Sequence, residues 1–178
     1  MNISEVKTAK KIGKFNLRSN SNNKIDIEYL SSVQKSVLID DSPRIYLIVS
    51  NGIIKKIGGS AQRGGIKGTM SFYVGAMGGS PGVPRFVIHL LIEQELKKDL
   101  DVELFMITSP PVMAEVSGLF KTHKRLVASF KEMEDICKAD YYLKVGRYPE
   151  WNFQENHESY PVAFARLHNE FHKKRLKK

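Results

Sequence analysis

The chain has one cysteine, Cys137, among 178 residues. That excludes an internal disulfide and a zinc site built on several thiolates, and it agrees with a reducing compartment. No run of about 18 uninterrupted apolar residues is present, and the opening "MNISEVKTAKKIGKF" lacks the apolar centre of a signal peptide. A cytoplasmic location is the expectation. The glycine-rich stretch at 58–82 lacks the Gly-Lys-Ser/Thr ending of a P-loop, which argues against nucleoside triphosphate binding. No internal repeat or low-complexity tract is present. Acidic residues are scarce: 19 Asp and Glu face 28 Lys and Arg, a formal charge of +9. A polyanion is the expected partner, nucleic acid first. The excess gathers in "KTAKKIGKFNLR" (7–18) and "HKKRLKK" (172–178), runs that are equally compatible with solvated termini.

What is present suffices for a core, with 42% hydrophobic and 10% aromatic residues in a length that suits one domain, 1–178. Ile27, Leu30, Val33, Val37 and Leu38 fall at helical spacing and predict a helix over 25–39 in an N-terminal arm, 1–43. Strands are expected at 44–50 and 53–58 around Asn51-Gly52, a strong hairpin signal. The segment 59–84 holds eight of the 13 glycines and predicts a long loop. A buried helix over 85–100, a strand over 101–109, a helix from Lys124 to Leu143 and a basic helical tail over 162–178 complete the reading. The fold class is α+β: a small sheet of about three strands, antiparallel or mixed, flanked by helices, with a core at 44–143 and arms at 1–43 and 144–178.

Two features, one of the helix and one of the hairpin, bear on chemistry. Leu126, Phe130, Met133, Cys137 and Tyr141 form the inward stripe of the 124–143 helix, and at 100° per residue Glu134 lies on its flank while Glu132 lies on the far side. Glu134 is the inward carboxylate. On the hairpin, a two-residue turn would pair Ser50 with Ile53 and send Tyr46 and Lys56 to opposite faces, so that they could not cooperate. A three-residue turn, Asn51-Gly52-Ile53, with a bulge would pair Ser50 with Ile54, Ile48 with Lys56 and Tyr46 with Gly58, bringing Tyr46 and Lys56 to one face. The second register is the expectation, and a Ser50–Ile53 pair would count against catalysis.

The motifs "IYL" (45–47) and "KIG" (56–58), followed by Gly59-Ser60, resemble the GIY-YIG nuclease superfamily, and in particular its small single-domain type II restriction endonucleases. The glycine before the first tyrosine is here Ile45, and the second tyrosine is Lys56. The resemblance spans about 44–141, and "LFKTHK" (119–124) resembles the segment leading to the catalytic glutamate of the restriction branch. It implies one divalent metal, Mg²⁺, held by Glu134 and by DNA. It also implies a water oriented or deprotonated by Tyr46, with Lys56 lowering the cost of the phenolate or serving as base. Arg63, or else Lys67, would hold non-bridging oxygens, and Tyr73 supports the set. A rival placement for the family cation is Arg85 with His89. Arg85, Arg125 and Arg147 are further candidate DNA contacts, and Trp151-Asn152 stand where some members place a late asparagine.

These residues predict a site-specific endonuclease acting on double-stranded DNA as a homodimer, possessing an associated methyltransferase where it serves host protection. The rival readings are a basic DNA- or RNA-binding protein without catalysis and a structure-selective or nonspecific nuclease. His168 and His172, four residues apart, are expected on a solvated face rather than on a metal.

Overall fold

The computed structural model describes residues 1–19, 21, 23–78, 80–109, 113–126 and 130–176. Its centre is a five-stranded, wholly antiparallel sheet of β1 (Lys10–Leu17), β2 (Ile25–Tyr29), β3 (Arg44–Ser50), β4 (Ile53–Ser60) and β5 (Val102–Thr108) in the order β2-β1-β5-β3-β4. The α+β class stands, but the sheet is larger than the three strands expected. β1 and β2 were hidden in the supposed helical arm. "IDIEY" alternates with period two, Ile25 buried and Asp26 and Glu28 exposed, so it pairs with β1 as a strand. The basic run contains Ile12 and Phe15, both buried, while Lys11 and Lys14 reach Glu103 and Glu28 on neighbouring strands. Only α1 (Lys35–Ile39) remains of the helix expected over 25–39.

The glycine-rich segment is not a continuous loop either. Gly64 and Gly65, at φ 81° and 71°, start α2 (Gly65–Val74), whose Ile66, Met70 and Tyr73 point inward. Packing of that stripe outweighs the helix cost of its glycines. α3 (Val83–Lys97) follows and buries Phe86, Val87, Ile88, His89 and Ile92. With Tyr46, Ile48, Leu104, Met106, Trp151 and Phe153, these helices form the core on one face of the sheet.

Beyond β5 the chain makes a separate two-stranded hairpin, β6 (Met113–Ser117) and β7 (Thr122–Leu126), where a helix was expected to begin at Lys124. α4 (Phe130–Val145) then covers the other face of the sheet, packing Met133, Cys137 and Tyr141 on Ile45, Leu47, Val49, Ile54 and Ile57. Residues 127–129 and the side chain of Leu126 lie outside the described residues. α5 (Val162–Leu176) closes the fold against α3, with His168 and Phe171 on the Phe86 ring at 5.2 and 5.5 Å. His168 is buried and both histidines reach the Pro81 carbonyl, His168 at 3.0 Å and His172 at 3.2 Å. They belong to a packing contact and not to the solvated face expected. Among the described residues no helix is long and apolar enough to cross a membrane, and no group of three or more His, Cys, Asp and Glu is placed to hold a metal ion.

Candidate active site

The hairpin resolves its register in a way neither turn alone provides. Asn51 and Gly52 have φ 46° and 76° and form a two-residue turn, so Ser50 does pair with Ile53. The three-residue turn expected is absent. Val49 pairs with Ile54, the register then shifts past Lys55, and Ile48 pairs with Lys56 and Tyr46 with Gly58. Lys55 is the extra residue of a bulge. The bulge therefore sits two residues beyond the turn and restores Tyr46 and Lys56 to one face, so the Ser50–Ile53 pair does not have the consequence attached to it above.

β4 is an edge strand, and the C-terminal segment covers its open side. Asn152, 1% exposed, accepts from the Ile57 N–H at 2.9 Å and donates to the Ile57 carbonyl at 2.9 Å, so that its amide takes the place of a neighbouring strand's peptide. The Trp151 N–H donates to the Lys55 carbonyl at 2.8 Å, using the backbone that the bulge leaves unpaired. Trp151 itself is core.

Two glycines on β4 admit the functional side chains. A β-carbon at Gly58 would overlap the Tyr46 hydroxyl and come within 2.9 Å of Tyr46 Cε1. One at Gly59 would stand 2.6 Å from Glu134 Oε2 and 2.9 Å from the Phe130 ring. Successive strand residues point to opposite faces, so Gly58 makes room for the tyrosine beneath α2, and Gly59 lets the first turn of α4 lie against the strand. Tyr46, 5% exposed, meets Tyr73 of α2 hydroxyl to hydroxyl at 2.6 Å. The end of β4 is tied to α2 by Ser60 and Thr69, hydroxyl to hydroxyl at 2.7 Å. Tyr46, Tyr73, Gly59, Ser60, Phe72 and Arg85 wall a cavity of about 150 Å³.

Arg85, at the start of α3, stacks its guanidinium 4.1 Å from the Phe72 ring centroid. Burial drives the Tyr46 phenol well above its ordinary value, the neighbouring Tyr73 and Glu134 push the same way, and only Arg85 opposes them. Burial also raises Tyr73, against its hydrogen bond with Tyr46 and the charge of Arg85. Both phenols are therefore neutral at pH 7. Lys56 moves the other way: burial lowers its ammonium, Glu155 and Glu134 resist, and Lys138 adds repulsion. Lys138 sits between the two carboxylates, 2.6 Å from Glu134 Oε1 and bonded to Glu155. Its own loss of solvation is outweighed by those two hydrogen bonds, which hold it above the ordinary lysine value.

The residues singled out in the sequence thus separate into two groups. Tyr46, Tyr73 and Arg85 share a cavity, and Glu134 and Lys56 lie within electrostatic reach of that cluster or of each other. Arg63 is exposed in the turn before α2 and is not among the residues walling the cavity. His89 is fully buried and donates from Nδ1 to the Tyr73 carbonyl at 2.8 Å; it anchors the helix end carrying Tyr73 and has no surface to offer DNA. Burial lowers its imidazole, against the pull of that bond and of Glu93. Lys67 is exposed with its ammonium 5.5 Å from the Tyr29 ring centroid. Arg147 is exposed 3.7 Å from Glu158, and Arg125 is exposed on β7. Sequence reading missed Lys138 and Glu155. The i, i+4 spacing of Glu134 and Lys138 was a legible signal, whereas Glu155 arrives through tertiary packing.

Comparison with known proteins places this fold. No protein-family model matches the chain, and no curated protein matches it. Among solved structures, a mutant of EndoII from bacteriophage T4 superposes with a TM-score of 0.55 at 17% identity, over 85% of this chain and 98% of that one. The restriction endonuclease HPY188I in complex with product DNA gives a TM-score of 0.49 at 15% identity, over 84% of each chain. The chain shares the fold of bacteriophage T4 EndoII.

Proposed function

We propose that this protein is a divalent-metal-dependent DNA endonuclease of the GIY-YIG type, of the site-specific restriction kind. The observation that carries the reading is the convergence of Tyr46, Tyr73 and Arg85 on one cavity at the glycine-relieved end of β4, with Glu134 against the adjoining glycine. The fold shared with a phage endonuclease and the formal charge of +9 support it.

Phosphodiester hydrolysis requires an oriented water, cations at the developing charge and a Lewis acid. Arg85, not Arg63, takes the role of phosphate clamp, because it is the arginine in the cavity; its stacking on Phe72 fixes the guanidinium plane for bidentate contact with phosphate oxygens. Tyr46 and Tyr73 act as neutral, mutually oriented hydrogen-bonding groups that place the water. Lys56 takes the role of base in this arrangement, since the register puts it on the face of Tyr46 and its proton is held less tightly than an ordinary lysine's. The donor set fits Mg²⁺: Glu134 supplies one hard carboxylate, and this ion is commonly held by one or two carboxylates together with substrate phosphate. When bound, the ion supplies Lewis acidity to the leaving oxygen. Lys138 neutralises Glu134 in its absence and holds the carboxylate in place.

The substrate is double-stranded DNA, cut on both strands by a homodimer, since two-fold sites are met by two-fold proteins. A methyltransferase of matching specificity would protect the host's own DNA. Plasmid digestion with Mg²⁺, run with Tyr46→Phe, Arg85→Ala and Glu134→Ala and with DNA binding in parallel, tests the reading. Discrete fragments from the wild type and binding without cutting by the variants are expected. Salt-sensitive binding with intact plasmid in every lane would leave a non-catalytic nucleic-acid-binding protein, and smears or nicks would leave a nonspecific nuclease.

A further inference from the structure

The β6–β7 hairpin breaks the rules of its own turn. Gly118 N–H donates to the Lys121 carbonyl at 2.9 Å, leaving Leu119 and Phe120 as the two turn residues. Such positions ordinarily carry Asn, Gly or Asp. Here two large apolar side chains stand 95% and 96% exposed, more than any other large hydrophobic residue described. They add nothing to a core. Along the stem Met113 and Val116 are exposed as well, so the two strands lack a covering layer. An isolated hairpin is marginal in water, and a local choice that costs solubility without helping the fold marks a contact made elsewhere.

Its placement and charge specify the contact. The chain leaves the sheet at Thr108, which pairs with Arg44, itself paired with Ser60 on the cavity wall. It returns at Phe130, whose carbonyl lies against Gly59. The described residues on either side of the segment that carries the hairpin therefore flank the candidate active site. Lys121, Lys124 and Arg125 follow the tip, with Glu115 opposite Lys124 as the only acid on either strand. The positive side chains of such an element attract a duplex, and paired strands can enter a DNA groove.

We infer that the β6–β7 hairpin is a DNA wedge: Lys121 and Arg125 hold phosphates while Leu119 and Phe120 insert between base pairs and unstack them beside the scissile bond. The inference rests on the proposed DNA-cutting function and adds a deformation step to it. Apolar side chains inserted into a base step kink and unwind the duplex, so the site would read deformability as well as sequence.

The test uses the whole protein in EDTA, with a metal-independent topoisomerase relaxing a covalently closed plasmid. Bound wild type should shift the topoisomer distribution towards unwinding. Leu119→Ser/Phe120→Ser, altered only at exposed side chains, should bind roughly tenfold more weakly, the scale of a lost base-stacking contact, and leave the distribution unshifted when saturated. No shift from saturating wild type, or an equal shift from the variant, overturns the wedge. So does loss of dimer by the variant in sedimentation, which would make the hairpin a self-association element. Failure of wild type to cut plasmid in Mg²⁺ while the unwinding persists overturns the nuclease reading and leaves the wedge standing.

Discussion

Gly58→Ala is the smallest change that addresses the site directly. The added methyl meets the Tyr46 ring and hydroxyl, both held by the core and by Tyr73, so the ring must move. Overpacking of this kind costs about 1–3 kcal/mol, and loss of the hydroxyl pair about 1 kcal/mol. Restriction of the unfolded chain returns about 0.4–1 kcal/mol. A net loss of about 1–3.5 kcal/mol corresponds to a melting temperature about 2–14 °C lower in a chain of this size. Cleavage should fall by about a hundredfold, the usual effect of ångström-scale misplacement. Gly75→Ala is the control, because a β-carbon there meets nothing within 4 Å and φ is −80°. Thermal denaturation by circular dichroism and plasmid cutting should separate the two proteins. If Gly58→Ala melts with Gly75→Ala and cuts normally, Tyr46 is not locked over Gly58 and the account of the site is wrong.

Two further outcomes follow from the same geometry. Asn152→Leu leaves the Ile57 N–H and carbonyl buried without partners, at a cost of about 2–4 kcal/mol; hydrogen exchange at the Ile57 amide should accelerate, and unchanged protection would refute the strand-mimic role. Lys56→Met should melt above the wild type at pH 7, because burial makes the folded state hold this proton less tightly than the unfolded chain does. Wild-type stability relative to the variant then rises with pH from the depressed folded value up to the unfolded 10.5, so the gap should close over that window, and a gap that widens would contradict the lowered pKa.

The parts of this molecule that were legible in the sequence are those where one period dominates. Asn51-Gly52 between apolar runs announced β3 and β4, and the stripe Met133, Cys137, Tyr141 oriented α4 with Glu134 on its flank. Where two periods fit one short run, the reading failed. Ile27, Leu30 and Val33 satisfy a helix, while Ile25, Ile27 and Tyr29 satisfy a strand, and pairing with β1 decides between them. β1 was concealed because the register shift between Lys11 and Gly13 breaks its alternation and lysines fill its exposed face. Sequence order ranks Arg63 ahead of Arg85, whereas Arg85 is the one in the cavity, because how α3 turns it over Phe72 is a tertiary fact.

The bulge at Lys55 has a consequence that parity makes sharp. Ile54 and Lys56 are two residues apart and in a regular strand would face the same way. Here Ile54 packs with Val49 beneath α4, while Lys56 lies opposite Ile48 on the face of Tyr46. Deleting Lys55 removes only the extra residue: Val49–Ile54 and Ile48–Lys56 become neighbouring pairs of an ordinary ladder. The loss is one backbone bond from Trp151 and the surface pair with Glu150, about 1–2 kcal/mol in all. Deleting Ile54 gives a chain of the same length but pairs Val49 with Lys55, carrying an ammonium into the apolar layer that Ile54 fills. Loss of that buried side chain alone costs about 2–5 kcal/mol, and the unpaired charge adds to it. The first protein should melt cooperatively close to the wild type, and the second should be unfolded or nearly so. Equal melting of the two deletions would mean that the register does not shift at Lys55, and that Tyr46 and Lys56 reach a common face by some other route.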